Sequence, residues 1–322
     1  MKYLVCGGAG YIGSHLCKWL RTAGHEVVVL DNFSTGHREA VRWGRLIEAD
    51  IGDKSALFDA LHGEHFDAVV HLCARSLVGE SMLAPYDYYE NNVYGTLNVL
   101  QWMRRNCVDK FLFSSTAAVF GNPQSPLIDE NHPVAPINPY GKSKLMVERI
   151  LADAAAAYGL RSVALRYFNA CGADASGELG EAHHPETHLI PNVLKAALSG
   201  NPVRIFGIDY PTPDGTCVRD YVHVNDLASA HELALSFMQT SDGAQTFNLG
   251  NGKGFSVRQV IDASETVIGQ SIRREISPRR AGDPPILVAA SDKARDVLGW
   301  RPEYTDIEDI IATAWRWHRQ QA

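Results

Sequence analysis

Tyr140 and Lys144 stand four residues apart in the run Asn138–Lys144. This spacing places both side chains on one face of a helix. A lysine ammonium beside a phenol lowers the pKa of the phenol, because the positive charge favours the phenolate. A tyrosine that accepts a proton near neutral pH can act as general base for a sugar or alcohol hydroxyl. Most Tyr-x-x-x-Lys pairs lie on protein surfaces, so this interpretation depends on a cofactor site elsewhere in the chain.

A glycine motif near the start of the chain predicts such a site. Gly7, Gly10 and Gly13 follow a short apolar run and open a helix-like stretch. Glycines at this spacing permit a tight turn and let the backbone approach a pyrophosphate at the helix N-terminus. Asp31 ends the second apolar run, where a carboxylate accepts hydrogen bonds from a ribose diol and repels a 2′-phosphate. We therefore expect NAD rather than NADP, and hydride chemistry at a carbinol carbon.

Asp50 and Ile51 follow the third apolar run, where they are placed to meet the adenine edge of the dinucleotide. The alternative for Asp50 is that its carboxylate caps the next helix, a role for which Ser55 competes. The residues alone leave both interpretations open.

The elements that position these residues alternate between strand and helix through the first half of the chain. Strands that are apolar throughout, as in parallel sheets covered on both faces, are predicted at Lys2–Cys6, Glu26–Leu30, Arg45–Ala49, Ala68–Leu72, Lys110–Ser114 and Arg161–Phe168. Helices are predicted at Tyr11–Ala23, Lys54–Leu61, Asn92–Asn106 and Tyr140–Tyr158. The alternation predicts an α/β fold with a doubly wound parallel sheet of the Rossmann type.

The start of the last of these helices is marked in the sequence. Asn138 is a good N-cap, and Pro139 suits the first helical position. Tyr140 is therefore expected in the first turn.

After about Asn169 the alternation loosens, and Gly, Pro and His become denser. We predict an NAD-binding domain over residues 1–168 and, over residues 169–322, a smaller α/β region that binds substrate and interleaves with the first.

Composition excludes several classes of function. The 322 residues carry a net charge of -7, and 45% of them are hydrophobic. An acidic chain is a poor general binder of nucleic acid or anionic membranes, and no apolar run is long enough to predict a membrane span. The chain runs from Met1 directly into a strand without the pattern of a signal peptide, so we expect a cytoplasmic protein. Its six cysteines form no Cys-x-x-Cys pair and suit reduced thiols.

A group of metal-ligating residue types lies in the second half of the chain, formed by Glu181, His183, His184, Glu186 and His188. Histidine and glutamate are zinc ligands. The surrounding Pro- and Glu-rich sequence favours an ordinary loop, and we predict no metal site.

Further motifs identify a family. They are Gly7–Gly13, Asp31-Asn32, Val78–Ser81, Asn91–Val93, Ser114–Gly121, Tyr140–Lys144, Leu165–Asn169, Asp209–Tyr221 and Arg279–Pro284. Over essentially its whole length the chain resembles the extended short-chain dehydrogenase/reductase superfamily and, within it, the UDP-glucose 4-epimerases. Ala117 follows Thr116, so the chain lacks the acidic pair that the related sugar-nucleotide 4,6-dehydratases carry there.

The resemblance implies roles for individual residues. Tyr140 would be the catalytic base, Lys144 its electrostatic partner, and Thr116 the residue that binds the reacting hydroxyl. The implied cofactor contacts are Gly7, Gly10, Tyr11, Ile12, Gly13, Asp31, Asn32, Asp50, Ile51, Leu72, Asn92, Ser114, Tyr140, Lys144 and Phe168. The implied substrate contacts are Thr116, Tyr140, Asn169, His188, Leu189, Phe206, Arg219, Tyr221, Arg280 and Asp283. Arginine forks suit the pyrophosphate of such a substrate.

The implied reaction interconverts UDP-galactose and UDP-glucose. Tightly bound NAD would oxidise C4, the 4-keto sugar would rotate, and the hydride would return to the opposite face. The alternative is a 4-epimerase of a UDP-N-acetylhexosamine, UDP-glucuronate or a UDP-pentose. Leu287 does not decide between these substrates, because its side chain is intermediate in size. A reductase or decarboxylase of the superfamily, or a regulator that only senses NAD, remain as further alternatives. By analogy we expect a homodimer through the helices Asn92–Asn106 and Tyr140–Tyr158.

Overall fold

The structure is a computed structural model that describes residues 1–280 and 283–321. Residues 281 and 282 of the motif Arg279–Pro284 thus lie outside the described residues. In the described ranges the strands are β1 (Lys2–Cys6), β2 (Glu26–Asp31), β3 (Arg45–Glu48), β4 (Ala68–His71), β5 (Lys110–Thr116), β6 (Leu127–Ile128), β7 (Arg161–Tyr167), β8 (Asn169–Cys171), β9 (Val203–Phe206), β10 (Val218–His223), β11 (Ala244–Leu249), β12 (Gly254–Ser256), β13 (Arg274–Ser277) and β14 (Ile286–Ala289).

The helices connect and cover these strands. They are α1 (Tyr11–Thr22), α2 (Lys54–Ala60), α3 (Val78–Leu83), α4 (Pro85–Tyr89), α5 (Thr96–Arg105), α6 (Pro139–Tyr158), α7 (Leu189–Ser199), α8 (Val224–Phe237), α9 (Val257–Ile268) and α10 (Ile307–Gln321). Short 3₁₀ turns occur at Arg38–Ala40 and Ala117–Phe120, and π-helical turns at Glu90–Gly95 and Ala294–Leu298. Among the described helices, none is long and apolar enough to cross a lipid bilayer.

The main sheet is parallel, and the described chain builds it from seven strands in the order β11-β7-β5-β4-β1-β2-β3. The chain winds outward from β1 to β3 on one side and from β4 to β7 on the other. The strand order therefore reverses between β1 and β4, and α/β proteins bind ligands at the carboxyl ends of the strands beside such a reversal. The predicted doubly wound fold is confirmed.

Both faces of this sheet are buried. Along β1, Tyr3 and Val5 belong to the apolar cluster beneath α1 and α8, whereas Leu4 and Cys6 belong to the cluster beneath α2, α5 and α6. Because successive side chains of a strand point to opposite faces, burial on both sides requires an uninterrupted apolar run. This explains why the six strands predicted from such runs are present, with ends that differ by no more than two residues.

The second half of the chain returns to the main sheet before it forms the smaller region. Strand β11 pairs in parallel with β7, and α8 packs against α1. The remaining strands form two smaller sheets, one of β12, β10, β14, β6 and β8 and one of β13 and β9 in the described residues. Helices α7, α9 and α10 pack around them.

The helix that carries Tyr140 starts where the sequence predicts. The Asn138 side chain accepts a hydrogen bond from the Gly141 backbone N–H at 2.8 Å, and Pro139 is the first helical residue. Gly159 ends the helix in the left-handed conformation, with φ 74°. The predicted helix Asn92–Asn106 is wrong in its first turn.

That first turn is π-helical, and regular α-helix begins only at Thr96. The Thr96 hydroxyl donates to the Asn92 carbonyl at 2.6 Å. A side chain that takes the carbonyl four residues back competes with the regular helical bond, which gives a physical reason for the widened turn.

Candidate active site

One cavity lies at the carboxyl ends of β1, β4, β5 and β7, closed on its other side by the second half of the chain. It brings together most of the predicted site residues: Gly7, Gly10, Tyr11, Ile12, Gly13, Leu72, Ser114, Thr116, Tyr140, Lys144, Phe168, Asn169, His188, Arg219 and Asp283. The cavity thus occupies the point where the strand order of the sheet reverses.

The glycine turn after β1 leaves no room for side chains. Gly7 has φ 83°, and a Cβ on it would lie 2.6 Å from the backbone N of Cys73. A Cβ on Gly13 would lie 2.1 Å from the carbonyl oxygen of Gly7. Gly10 is the N-cap of α1 and offers no side-chain cap, so the first turn of the helix has no side-chain oxygen over it. These features suit a dinucleotide pyrophosphate at the helix N-terminus.

Asp31 lies directly behind this turn. One carboxylate oxygen accepts from the Ala9 backbone N–H at 2.9 Å, and the other accepts from Phe33 N–H at 2.9 Å. The carboxylate is buried and held in a fixed orientation. Each carboxylate oxygen has a second lone pair, so the orientation leaves acceptor capacity for a ribose diol. Asp31 does not line the cavity itself.

Asp50 and Asn32 form a pair at the end of β3. The Asn32 amide donates to Asp50 at 2.9 Å, and the other Asp50 oxygen accepts from Gly52 N–H at 2.7 Å. The cap of α2 is Asp53, whose side chain accepts from Ala56 N–H at 3.0 Å. The alternative that Asp50 or Ser55 caps this helix is therefore wrong. The predicted adenine contact of Asp50 stays a prediction.

Two predicted cofactor residues lie behind the cavity wall. Ile51 is buried in the apolar cluster beneath α2 and α5. The Asn92 side chain accepts from Arg75 N–H at 2.9 Å and donates to the Arg75 carbonyl at 3.0 Å and to the Ser143 hydroxyl at 3.0 Å. Asn92 therefore ties the segment after β4, which lines the cavity, to helix α6.

Lys144 is a fully buried lysine beneath the cavity. Its Nζ donates to the Ser114 carbonyl at 2.5 Å and lies 4.7 Å from the centre of the Phe113 ring. Burial lowers the pKa of Lys144 to about 7, and the charges of Cys73 and Glu148 oppose the shift only in part. Near neutral pH both the ammonium and the neutral amine of this side chain are therefore populated.

Tyr140 differs from the expectation drawn from its spacing. Burial raises the pKa of the Tyr140 phenol, and the neighbouring Thr116 hydroxyl lowers it by less. The predicted lowering by Lys144 is wrong in this structure. Desolvation of the phenolate is the larger effect, and the Lys144 Nζ lies 6.0 Å from the centre of the phenol ring and is directed at Ser114.

A cluster of charged residues includes Arg219 and Asp283, which line the cavity, and Arg280, which with Phe206 does not line it. Asp283 accepts from Arg280 Nε at 2.9 Å and lies 3.6 Å from Arg219 Nη2. Arg219 also donates to the Pro284 carbonyl at 2.8 Å, and Arg280 lies over the Phe206 ring at 5.0 Å. Two guanidinium groups and one carboxylate therefore meet at the cavity edge, an arrangement that can bind a pyrophosphate.

The other predicted substrate residues occupy different surroundings. Asn169 lines the cavity, and its amide donates to the Asp220 carbonyl at 2.8 Å. Tyr221 is buried in β10, where burial raises the pKa of its phenol. Leu189 is the first residue of α7 and packs against the cores of the smaller region. Neither Tyr221 nor Leu189 lines the cavity.

His188 lies at the cavity edge, in an ion cluster. Its Nδ1 lies 2.7 Å from Glu181 Oε1 and 3.3 Å from Glu186 Oε1. Burial disfavours the imidazolium, but the two carboxylates outweigh burial and raise the pKa of His188 to about 10. Burial opposes ionisation of Glu181 as well, and the hydrogen bonds from His183 and His188 outweigh it and hold the pKa of Glu181 at about 2.

Some lining residues were not predicted as site residues, among them Thr35, Ala74, Ser76, Val78, Tyr167, Glu181 and His183, whereas Leu287, considered for substrate preference, also lines the cavity. Thr35 follows β2, and Ala74 and Ser76 follow β4. Their position after parallel strands is a signal that could have identified them. Glu181 and His183 come from an irregular segment, and no sequence period places them at the cavity.

Comparison with known proteins decides the family. The model of the NAD dependent epimerase/dehydratase family matches residues 3–250 of this chain. The chain belongs to this family. The UDP-glucose 4-epimerase of Lacticaseibacillus casei is 50% identical over 320 residues, which cover 99% of this chain and 97% of that protein. The resemblance predicted from the motifs is thereby confirmed.

Solved structures agree with this assignment. A crystal structure of UDP-glucose 4-epimerase from Brucella ovis in complex with NAD is 48% identical, with a TM-score of 0.94 over 98% of this chain and 97% of that chain. A structure of UDP-glucose 4-epimerase from Bifidobacterium longum in complex with NAD+ and UDP is 38% identical, with a TM-score of 0.94 over 99% of this chain and 98% of that chain. NAD is therefore the cofactor that the family and the glycine turn both indicate.

Proposed function

We propose that this protein is an isomerase that interconverts UDP-galactose and UDP-glucose with NAD as a tightly bound cofactor. The observation that carries the proposal is the placement of Tyr140, Lys144 and Thr116 around the same cavity as the glycine turn after β1. Related proteins named UDP-glucose 4-epimerase match this chain over nearly its full length.

When bound, NAD supplies the site that accepts the hydride from C4 of the sugar and returns it to the 4-keto intermediate. In its phenolate form, which burial disfavours, Tyr140 removes the proton from the 4-hydroxyl and later gives it back. Thr116, at the end of β5, hydrogen-bonds the same hydroxyl and lowers the pKa of Tyr140. When protonated, Lys144 supplies a positive charge on the same helix, 6.0 Å from the centre of the Tyr140 ring.

Epimerisation requires that both faces of the keto sugar reach the same hydride site. The sugar must therefore turn while the rest of the substrate stays bound. In our proposal Arg219 and Arg280 hold the pyrophosphate, Asp283 orients both guanidinium groups, and Phe206 packs against the uracil ring. Support comes from the Asp283 contacts to the two arginines and from the Arg280–Phe206 contact, which link these four residues into one group.

The roles of the two parts of the chain follow from this assignment. We propose that residues 1–168 form the NAD-binding domain and that residues 169–322 mainly bind the UDP-sugar. Strand β11 and helix α8 are an exception to this division, because they extend the main sheet and cover one of its faces.

A homodimer is also part of the proposal. Large apolar side chains are exposed on α3, α4, the π-helical turn and α6: Met82 at 59%, Leu83 at 88%, Tyr86 at 83%, Tyr94 at 47% and Met146 at 42%. Helices α3 and α4 and the π-helical turn all pack on α6, so these exposed side chains lie on neighbouring elements. We propose that a second copy of this chain covers this apolar face, since such patches mark interaction sites.

We also propose that the protein works in the cytoplasm, where its six unpaired thiols would stay reduced.

NMR of the purified enzyme with UDP-galactose, without added NAD, tests the function. Appearance of UDP-glucose up to equilibrium, without a net rise in NADH absorbance, is expected. A parallel sample with UDP-N-acetylgalactosamine tests the alternative substrate, because Leu287 lines the cavity and its size limits the room there. Failure to convert either sugar, even with NAD supplied, would overturn the proposal and favour the uronate and pentose substrates.

A further inference from the structure

Four side chains of the segment between β8 and α7 converge on one point beside the cavity. They are Glu181, His183, Glu186 and His188, and one potential ligand atom from each lies within 4.8 Å of all the others. The segment is irregular, so this convergence does not follow from the periodicity of a helix or strand. His184 belongs to the same run but not to the cluster, and its side chain is exposed.

The ligand atoms of the cluster are close together, and three of the pairs lie slightly nearer to each other than the ligands of a bound metal ion. His183 Nδ1 lies 3.0 Å from Glu181 Oε1, and His188 Nδ1 lies 2.7 Å from the same oxygen and 3.3 Å from Glu186 Oε1. A tetrahedral ion with ligand bonds of about 2.0–2.1 Å separates its ligand atoms by about 3.4 Å. The atoms of these three pairs would have to move apart by about 0.1 to 0.7 Å to hold such an ion, and no pair in the cluster is more than 4.8 Å apart.

The two carboxylates of the cluster are buried, and His188 and Lys195 are the cations that face them. The side chains of Glu181 and Glu186 are only 4% and 5% exposed. Glu186 Oε2 is buried without a hydrogen-bond partner among the described residues, and the Nζ of Lys195 lies 3.7 Å from it. Once His188 releases its proton, a divalent cation bound by two neutral imidazoles and two carboxylates would make these four side chains and the ion electrically neutral together.

We propose that Glu181, His183, Glu186 and His188 bind one divalent transition-metal ion, with zinc as the best match. Two histidines and two glutamates supply the nitrogen and oxygen ligands that zinc accepts, whereas calcium and magnesium favour all-oxygen sites. Four protein ligands close the coordination sphere, which is typical of a structural site rather than a catalytic one.

The position of the cluster gives the ion a defined effect. His183 packs edge-on against Tyr11 of α1, with ring centres 6.1 Å apart, and the Tyr11 hydroxyl donates to the Gly172 carbonyl at 2.7 Å. The Ala182 carbonyl lies 2.7 Å from His37 Nε2. The ion would therefore fasten the segment that closes the cavity to the half of the molecule that carries the glycine turn. Coordination through Nδ1 of His188 leaves its Nε2 to donate to a substrate.

The test uses the full-length enzyme with its cofactor, stripped of metal by a chelator and then dialysed to equilibrium against zinc chloride. Metal content per chain is measured by plasma mass spectrometry, and replacement by Co2+ reports tetrahedral geometry through its visible absorption. We expect one zinc per chain. His183→Ala and His188→Ala should each weaken zinc binding by more than about tenfold, whereas His184→Ala, from the same segment, should bind as the wild type does.

Glu186→Gln keeps the shape of the side chain and removes its charge, so it should also weaken binding if the folded structure persists. Circular dichroism of each variant separates loss of ligand from loss of folding. Zinc should raise the thermal midpoint of the wild type and of His184→Ala but not of His188→Ala. The proposal is overturned if zinc binds at less than one ion per chain, or equally to the wild type and the His188 variant. In that case the hydrogen bonds between the imidazoles and the carboxylates hold the cluster together without a metal ion.

Discussion

Arg166 and Glu148 form a bidentate ion pair directly behind the strand that ends at Thr116. Arg166 Nε donates to Glu148 Oε1 at 3.0 Å, and Nη2 donates to Oε2 at 2.6 Å. Each side chain is only 7% exposed, and the Ser115 hydroxyl donates to Oε1 at 2.5 Å. The pair therefore joins β5, β7 and α6, the elements that set the position of Thr116 relative to Tyr140.

Substitution of Glu148 by Ala should destabilise the protein by about 3–5 kcal/mol, because it leaves the buried Arg166 charge without a partner. Turnover should fall as well, since β5 and α6 lose a shared contact. Urea unfolding followed by circular dichroism measures the first effect. Asp262→Ala is the control, because Asp262 is 62% exposed and pairs with Arg274 at the surface, where the loss should stay within about 1 kcal/mol. Equal losses in both variants would contradict the prediction.

Replacement of Tyr140 by Phe should reduce turnover by orders of magnitude, because the sugar 4-hydroxyl loses its proton acceptor. The NAD content of the purified variant should stay at the wild-type level, since the glycine turn is untouched. Rates are measured by NMR with UDP-galactose, and NAD is measured after acid extraction. Tyr158→Phe, at the other end of the same helix, is the matched control. A Tyr140 variant with wild-type turnover would remove this residue as the base.

The parts of the fold that the sequence predicted are those set by local physics. The glycine turn depends on backbone freedom at Gly7, which has φ 83°, and on the space around Gly13. The start of α6 depends on Asn138 and Pro139, which act on neighbouring residues only. The first six strands of the main sheet were predicted from apolar runs, because burial on both faces needs no knowledge of the partner strand.

The parts that were missed depend on contacts between distant segments. Lys144 has a low pKa because Phe113 and the Ser114 carbonyl, on another element, bury it. The spacing of Tyr140 and Lys144 could not reveal that burial. It therefore predicted the wrong direction for the pKa shift of the Tyr140 phenol. Strand β11 joins the main sheet across about 80 residues of sequence from its neighbour β7, and nothing in its own six residues marks that partner.

A methyl group on Gly13 should disrupt the cofactor turn. In Gly13→Ala the new Cβ would lie 2.1 Å from the Gly7 carbonyl oxygen, so α1 and the turn must separate. We expect loss of bound NAD and a lower thermal midpoint. Gly79→Ala is the control, because a Cβ at Gly79 meets no atom within 4 Å among the described residues. Retention of NAD by the Gly13 variant would show that the pyrophosphate does not lie on this turn.

A charge placed on the apolar face of α3 should separate the proposed dimer. Leu83→Glu would bring a carboxylate into the interface without a partner, and such burial is costly. Sedimentation velocity should show a dimer for the wild type and a monomer for this variant. Leu198→Glu on α7, where Leu198 is 41% exposed, should remain dimeric. A wild-type monomer, or a Leu83 variant that stays dimeric, would refute the proposed interface.

The buried Lys144 should lower the free energy of unfolding of the protein, although the function requires this residue. Because the pKa of Lys144 is about 7 in the folded protein and 10.5 for an exposed lysine, protonation favours unfolding between these values. The penalty is complete below about pH 7 and disappears as the pH rises towards 10.5. Each tenfold change in protonation equilibrium is worth about 1.4 kcal/mol, so the cost is a few kcal/mol.

Lys144→Met should therefore be inactive yet more stable than the wild type near pH 6, even after the loss of one hydrogen bond to Ser114 worth about 1 kcal/mol. The gain in the free energy of unfolding should shrink as the pH approaches 10. Urea unfolding at a series of pH values, on protein freed of NAD, measures this difference. Lys142→Met, two residues away and exposed on the same helix, should show no such dependence on pH. If the gain of the Lys144 variant were constant from pH 6 to pH 10, the low pKa of this lysine would be refuted.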